Sequence, residues 1–406
     1  MGYTPKPLKP VREALDAMLA AARPVAEVET IPTLEANGRV LARALHSTID
    51  VPAADNTQMD GYAVRAADCA SGNATLRVAQ RIPAGQVGAY LEPGTAARIF
   101  TGALIPDGAD AVVMQEQCEA SADGQSVTVR HVPASGEWIR RRGEDISAGA
   151  VVIEPGTRLR SQELGLAASV GVAEVSVRRR LRVALFFTGD ELTMPGEPLA
   201  EGSIYNSNRF TLRALLENLG CEIADFGNVP DTLEATRDTL RKAAAGSDLI
   251  ITSGGVSVGE EDHVKPAVEA EGRLDMWQIA VKPGKPLAFG EVGGAFFLGL
   301  PGNPVSSFVT FLVFVRPFIL RMQGAAGRAP RAFMLPAAFD WPRPDRRNEF
   351  LRARVNDDGA LELFPNQGSG VLTSTAWADG LVDNPPATPI ARGDLVRFIP
   401  FSELLA

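Results

Sequence analysis

The stretch Asp248-Leu249-Ile250-Ile251-Thr252-Ser253-Gly254-Gly255-Val256-Ser257-Val258-Gly259-Glu260-Glu261-Asp262-His263-Val264-Lys265 decides the fold of this chain. Leu249–Thr252 has no polar alternation, so it reads as a strand buried on both faces, the kind found in a parallel sheet covered by helices. The glycines that follow let backbone N–H groups turn inward and approach a ligand closely. A tight turn without a ligand is the plainer reading of Gly254-Gly255. Thr252, Ser253 and Ser257 crowd the same few residues, however, and favour an anion cradle between strand and helix. No Walker lysine pattern and no G-x-G-x-x-G is present, which disfavours ordinary NTPase and NAD chemistry.

Outward from this stretch the texture stays α/β. Val183–Phe187 reads as a strand, Asn208–Leu219 as a helix stopped by Gly220, and Cys221–Phe226 as a strand. Asp231-Thr232-Leu233-Glu234 has capping-box spacing with Asp231 as the cap. Phe296–Leu300 is another strand, leading into a helix over Pro304–Leu320. Residues 181–326 therefore form a doubly wound, parallel-sheet domain. Upstream, Pro10 opens an amphipathic helix whose stripe is Val11, Leu15, Met18, Leu19 and Ala22. Residues 47–146 are short alternating runs separated by Gly, Pro and Asp, a β-rich domain. Residues 1–46 and 147–180 make a helical and linker unit with a short helix at Ser161–Ala168. Downstream, Asn356-Asp357-Asp358-Gly359 between two apolar runs signals a hairpin in a small β domain over 327–406.

Several domains suit 406 residues, since single cores stop growing well before that length. A formal charge of −9 argues against a nucleic-acid partner, so an anionic ligand must meet a local basic pocket. Cys69, Cys118 and Cys221, with His46, His131 and His263, are scattered and have no zinc spacing. The N-terminus lacks the apolar core of a signal peptide. The longest apolar run, Phe308–Val315, ends at Arg316-Pro317, far short of the ~20 residues that span a bilayer. A soluble, cytoplasmic protein with no membrane association is expected.

Ligands of open parallel sheets sit outside the carboxyl ends of the strands. Four strand-end loops qualify: Thr188-Gly189-Asp190-Glu191-Leu192, Val229-Pro230-Asp231, Thr252–Gly259, and Leu300-Pro301-Gly302-Asn303-Pro304-Val305-Ser306. Glu191, Asp231 and Asp262 each follow a different strand, which predicts a carboxylate cluster suited to Mg²⁺ and a phosphorylated ligand. An N-cap role serves equally for Asp231 and Asp262, and a solvated loop for Glu191. Val281-Lys282-Pro283-Gly284-Lys285-Pro286 is a stiffened turn that holds two lysines together as an anion site. The run Arg140-Arg141-Arg142-Gly143-Glu144-Asp145-Ile146 is a weaker basic signal.

These segments resemble one family. Asn56-Thr57-Gln58-Met59-Asp60-Gly61-Tyr62-Ala63, Thr101-Gly102-Ala103, Gly108-Ala109-Asp110-Ala111-Val112-Val113, Gly143-Glu144-Asp145-Ile146 and Thr188-Gly189-Asp190-Glu191-Leu192 together are similar to the molybdopterin molybdenumtransferase (MoeA) family, which includes the gephyrin E domain. The resemblance implies a homodimer of four-domain subunits with a C-terminal small β-barrel, and an active site between the doubly wound domain of one chain and the β-rich domain of the other. It implies a Mg²⁺-dependent reaction of adenylylated molybdopterin with molybdate that leaves molybdenum on the dithiolene and releases AMP. It places Asp60, Thr101, Asp145, Glu191, Asp231 and Asp262 around the reaction, with Asp60, Glu191 and Asp262 at the metal. Thr188, Ser253, Gly254, Gly255, Ser257 and Pro301 are implied to line the substrate site. Lys282, Lys285, Arg140, Ser306, Arg352 and Ser369 are implied contacts for phosphate or molybdate. Transient contact with a molybdopterin adenylyltransferase and with molybdoenzyme chaperones is implied too. Thr57, Gln58, Leu104 and Phe187 depart from the family's usual residues. The alternatives are the adenylyltransferase itself, a single domain resembling 181–326, and a gephyrin-like scaffold.

Overall fold

The computed structural model describes residues 8–255, 263–284, 286–327 and 329–405. The sheet of the α/β domain has the order Glu222–Val229, Arg182–Thr188, Leu249–Ser253, Ala295–Leu300, Pro286–Val292, Gly272–Gln278. The first four strands are parallel, as expected. The last two are antiparallel to their neighbours, so the sheet is mixed rather than wholly parallel. Between Pro286–Val292 and Ala295–Leu300 the reversal is made by Gly293-Gly294, with φ of +56° and +92°. Two residues at positive φ make the tight turn that folds a strand back on the next one.

Side chains alternate across the sheet and fill two cores. Val183, Leu185, Phe187, Ile251 and Leu298 face one, and Ala184, Phe186, Ile250 and Phe297 face the other. Helices Leu233–Gly246 and Val264–Glu271 cover the second face. Helices Ser207–Asn218 and Pro304–Met322 cover the first. The helix Val11–Ala21, expected in the linker unit, packs here instead, burying Ala14 and Met18 in this core.

Pro304–Met322 agrees with the helix read over Pro304–Leu320 and continues through Arg316-Pro317, where the apolar run Phe308–Val315 ends. It does so by widening to a π-turn over Phe311–Val315, where Pro317 has no N–H to give the ladder. Among the described residues it is the one helix long and apolar enough to cross a membrane, and 78% of its apolar window is buried in the core.

The chain leaves and re-enters a smaller unit. Val28–Pro32 pairs with Glu174–Arg178, and Leu45–His46 with Val151–Ile153. Their core joins Leu41 and Leu45 to Ile153, Leu159 and Val177. Between these passages lies a six-stranded sheet in the order Ala111–Met114, Gly61–Val64, Thr95–Ile99, Ala74–Ile82, Ser126–Val129, Cys118–Ala120, with one core on each face. At the C-terminus, Leu361–Leu363, Asn348–Val355, Gly380–Asn384, Leu395–Pro400 and Phe333–Pro336 are neighbours in that order. A bridge between Ala337 and Leu361 brings the ends together into a small barrel. Val281–Lys282 joins this barrel parallel to Asn348–Val355, and so fastens the α/β domain to it.

Candidate active-site cleft

The chain reverses direction across the sheet at Arg182–Thr188, whose neighbours are the second and third strands of the domain. Loops leaving a switch point of this kind diverge and leave a crevice. A cleft of about 660 Å³ opens there, lined by Thr188, Glu191, Ser253, Gly254, Gly255, Pro301, Ser306 and Ser369, eight of the residues expected from sequence.

Its floor is made of backbone and hydroxyls. Gly254 and Gly255 both hold positive φ, +92° and +63°, and a Cβ on Gly254 would stand 3.3 Å from the Thr188 carbonyl oxygen. The Ser253 hydroxyl donates to the Pro301 carbonyl at 2.9 Å. Thr188 is 4% exposed and Thr252 fully buried, and among the described residues neither hydroxyl has a hydrogen-bond partner. Buried hydroxyls are nearly always paired, so an unpaired one at the base of a cleft points to a ligand. Ser306 is also buried.

Sequence reasoning missed the asparagines. Asn208 Nδ2 donates to Ser253 Oγ at 2.8 Å and to the Gly302 carbonyl at 2.7 Å, tying two strand-end loops together. Asn206 caps the helix Ser207–Asn218 by accepting from the Arg209 N–H at 3.1 Å. Asn303 precedes the helix that begins at Pro304. Asn206, Asn208, Asn303 and Pro304 all line the cleft, so two helix N-termini open onto it. Their N–H groups favour an anion without any side-chain cation. The signal was present in Asn206-Ser207-Asn208, an N-cap followed by a helix.

The charges are arranged differently from expectation. Glu191 is exposed and is the one carboxylate among the described lining residues. Among the described residues no three acidic, His or Cys side chains form a metal cluster, and Asp262, the third carboxylate expected with Glu191 and Asp231, lies outside them. Thr232, not Asp231, caps the next helix, its hydroxyl accepting from the Ala235 N–H at 3.3 Å. Threonine has the extended φ of a cap there, and Asp231 stands one residue outside it. Ser257, Asp262 and Lys285 lie outside the described residues.

Lys282 is not a free cation. Its ammonium donates to Glu349 Oε1 at 3.1 Å and lies 3.7 Å from Asp345. Glu349 is fully buried, so this pairing is strongly held. Arg352 is buried as well and donates to Ser374 Oγ, the Phe350 carbonyl and the Gly368 carbonyl. Burial pushes its guanidinium down to about 10. It braces the turn that carries Ser369, whose carbonyl accepts from the Val305 N–H at 3.0 Å, and is not among the lining residues itself.

The remaining expected residues sit on the β-rich unit, and none of them lines this cleft. Asp60 Oδ1 accepts from both the N–H and the hydroxyl of Thr101 at 2.8 Å. The backbone bond first, then the hydroxyl, holds this carboxyl below its usual range. Asp145 is exposed, its N–H donating to the Val51 carbonyl, and Arg140 is exposed on a short strand opposite Asn56. Arg141 and Arg142 are paired with Asp55 and Asp50, so two members of that basic run are structural. Thr57 keeps the role of a serine, bonding both to the Met59 N–H and to its carbonyl.

Comparison with known proteins agrees with this architecture along the chain. Residues 9–171 match the MoeA N-terminal region (domain I and II), 184–321 a probable molybdopterin binding domain, and 334–401 the MoeA C-terminal region (domain IV). A molybdopterin molybdenumtransferase from Haemophilus influenzae is 41% identical, covering 93% of this chain and 95% of its own length. The chain belongs to the molybdopterin molybdenumtransferase family. Another member, from Nostoc, is 38% identical over 93% of this chain and 92% of its own. A crystal structure of a molybdopterin biosynthesis MoeA protein from Pyrococcus horikoshii superimposes with a TM-score of 0.84 at 30% identity, covering 97% of this chain and all of that one. The family match spans the β-rich and C-terminal units as well as the sheet domain, which does not favour the single-domain adenylyltransferase reading.

Proposed function

We propose that this protein inserts molybdenum into molybdopterin. Adenylylated molybdopterin and molybdate enter, water splits the phosphoanhydride into AMP and the pterin phosphate, and the two dithiolene sulfurs bond to molybdenum in place of molybdate oxygens, which leave as water. The observation that carries the reading is the unpaired, buried Thr188 hydroxyl beside the Gly254-Gly255 turn, in a cleft onto which two helix N-termini open. In this reading, N–H groups and the hydroxyls of Thr188, Ser253 and Ser306 hold the phosphate or molybdate oxygens, and the apolar wall of Phe187, Leu192 and Ile204 excludes water from one side. Pro301 shapes the rim by holding Ser253, and Ser369 forms the opposite lip.

Mg²⁺ fits this donor set, because it keeps several waters and takes only one or two carboxylates plus substrate phosphates. Glu191 would hold it, with Asp262 and a second copy's Asp60. When bound, the ion supplies charge screening at the breaking phosphoanhydride. The working unit is a cytoplasmic homodimer, with Asp60, Thr101, Asp145 and Arg140 of one copy facing the cleft of the other. Lys285 and Ser257 belong to the same site. Lys282 and Arg352 act behind it, setting the position of the turns that carry Gly284 and Ser369, and Asp231 stands at its edge. The supplier of substrate and the receiver of product are an adenylyltransferase and a molybdoenzyme chaperone, met transiently.

The test is AMP release from adenylylated molybdopterin by the purified full chain with molybdate and Mg²⁺. Glu191→Gln should lower the rate by about a hundredfold or more, the scale of a lost charge-stabilising group. A Glu191→Gln protein as active as the parent would remove the carboxylate from the mechanism.

A further inference from the structure

The cleft assigned to two anions contains no arginine or lysine among its described lining residues. Its neighbour Lys282 is already neutralised by Glu349 and Asp345. Helix ends and N–H groups orient a polyanion, but tight phosphate binding usually adds a guanidinium.

Two guanidiniums stand near this corner: Arg98, whose charge helps lower the Asp60 carboxyl, and Arg81 opposite it on the neighbouring strand. Arg98 lies opposite Tyr62 on one neighbouring strand and opposite Arg81 on the other. Phe100 follows two residues after Arg98. The Arg81 Cζ sits 4.5 Å from the centre of the Phe100 ring, and the Arg98 Cζ 4.7 Å from the same ring and 5.2 Å from that of Tyr62. Arg98 also donates to the Gly61 carbonyl at 3.0 Å and to Gln115 Oε1 at 2.7 Å. Among the described residues neither arginine is in an ion pair. Like charges on directly opposed residues repel, and a bound anion would relieve that. Covering the end of the β-rich core accounts for Arg98, which lies over Tyr62. It does not account for Arg81, which is exposed and whose guanidinium lies over Phe100 without an ion pair among the described residues. Asp60 accepts from the N–H and the hydroxyl of Thr101, and its own negative charge repels a phosphate.

We propose that Arg81 and Arg98, held against Phe100, are the phosphate-binding arm of the Asp60–Thr101 corner, and that they grip the diphosphate of the adenylylated substrate in the cleft of the second copy. This rests on the composite site proposed above. Arg81 and Arg98 hold the phosphate oxygens, while Asp60 would serve as a carboxylate ligand for Mg²⁺. The arm thus divides the work by charge sign.

The experiment is steady-state AMP release by the homodimer with adenylylated molybdopterin varied, at two salt concentrations. Arg81→Ala should raise KM about tenfold, as expected for a lost charged hydrogen bond, leave kcat within about threefold, and reduce the salt dependence of kcat/KM. Arg81→Lys should recover part of the loss. Arg98→Ala should act in the same direction; if that variant unfolds, Arg81→Ala alone decides, because its side chain is exposed. An Arg81→Ala protein with parental KM and salt dependence overturns the arm. If Glu191→Gln is inactive in the same assay, the reaction assignment stands while the arm falls.

Discussion

Lys282→Met should loosen the C-terminal barrel from the α/β domain, and the structure sets the size of the effect. Glu349 Oε2 accepts from Trp341 Nε1 at 2.8 Å, the Asp345 N–H at 3.1 Å and Asn384 Nδ2 at 3.4 Å. Among the described residues, Oε1 meets only Lys282. Removing the lysine therefore leaves a fully buried carboxylate with neutral donors on one oxygen and no partner on the other. Breaking a buried pair costs about 3–5 kcal/mol. Lys282 is itself 37% exposed, so water reaches its end of the pair, and about 2–3 kcal/mol is the reasoned value here. Glu349→Gln keeps an acceptor for the neutral donors and should cost less, about 1–2 kcal/mol. The double variant should then show a coupling of about 1–2 kcal/mol. A chain with several cores does not unfold in one step. The assay is therefore hydrogen exchange of the strand Asn348–Val355 in a urea series, with the AMP-release rate measured in parallel. Coupling below about 0.5 kcal/mol would refute the pairing as the clamp, and a slower exchange in Lys282→Met would refute it outright.

The composite site predicts that Asp60→Asn and Glu191→Gln proteins, each inactive alone, regain about a quarter of parental activity when unfolded together and refolded as a mixture. Half of the dimers are then mixed, and each has one intact site of two. No recovery, with mixed dimers present by mass spectrometry, would mean that corner and cleft do not meet. Acid should weaken the fold in a defined direction. Asp55 is held below its usual range first by the Arg142 N–H, Glu163 by Arg160, Glu271 by Arg237 and Asp345 by Arg347. Groups lowered in the folded state stabilise it above their unfolded values, so stability should fall as pH drops below about 4 and through the lowered values. A urea midpoint unchanged between pH 5 and pH 3 would contradict this.

The sheet domain could be read from sequence because its strands are unbroken apolar runs and its loops follow them directly. Thr188, Ser253, Gly254 and Ser306 reached one cleft for that reason, since a strand's last residue fixes where the next one opens. The antiparallel edge was also written in Val292-Gly293-Gly294-Ala295, as a turn that demands positive φ. What local pattern could not give was side-chain partnership across distance. Lys282 looks like half of an anion site within its own turn. Its actual partner, Glu349, is 67 residues away on a barrel strand whose register with Val281–Lys282 appears only after folding. Asp231 failed on a smaller scale, because the cap shifted by one residue to Thr232.

The placement of charge follows from these partnerships. A net charge of −9 would repel a polyanion from a general surface, and the cleft answers with dipoles: two helix N-termini, positive-φ glycines and unpaired hydroxyls. Dipoles fixed by backbone favour anions without adding a cation that a nearby carboxylate could neutralise. Lys282 shows what happens otherwise, since its charge is consumed by Glu349 and Asp345. Arg81 and Arg98, which form no ion pair among the described residues, sit on a separate sheet where their guanidiniums lie over aromatic rings. Separating them from the cleft keeps Glu191 from pairing with them before substrate arrives. The division works only if two copies of the chain bring both halves onto one phosphate group, so in the proposed homodimer a substitution that keeps the copies apart should abolish activity while leaving each sheet folded.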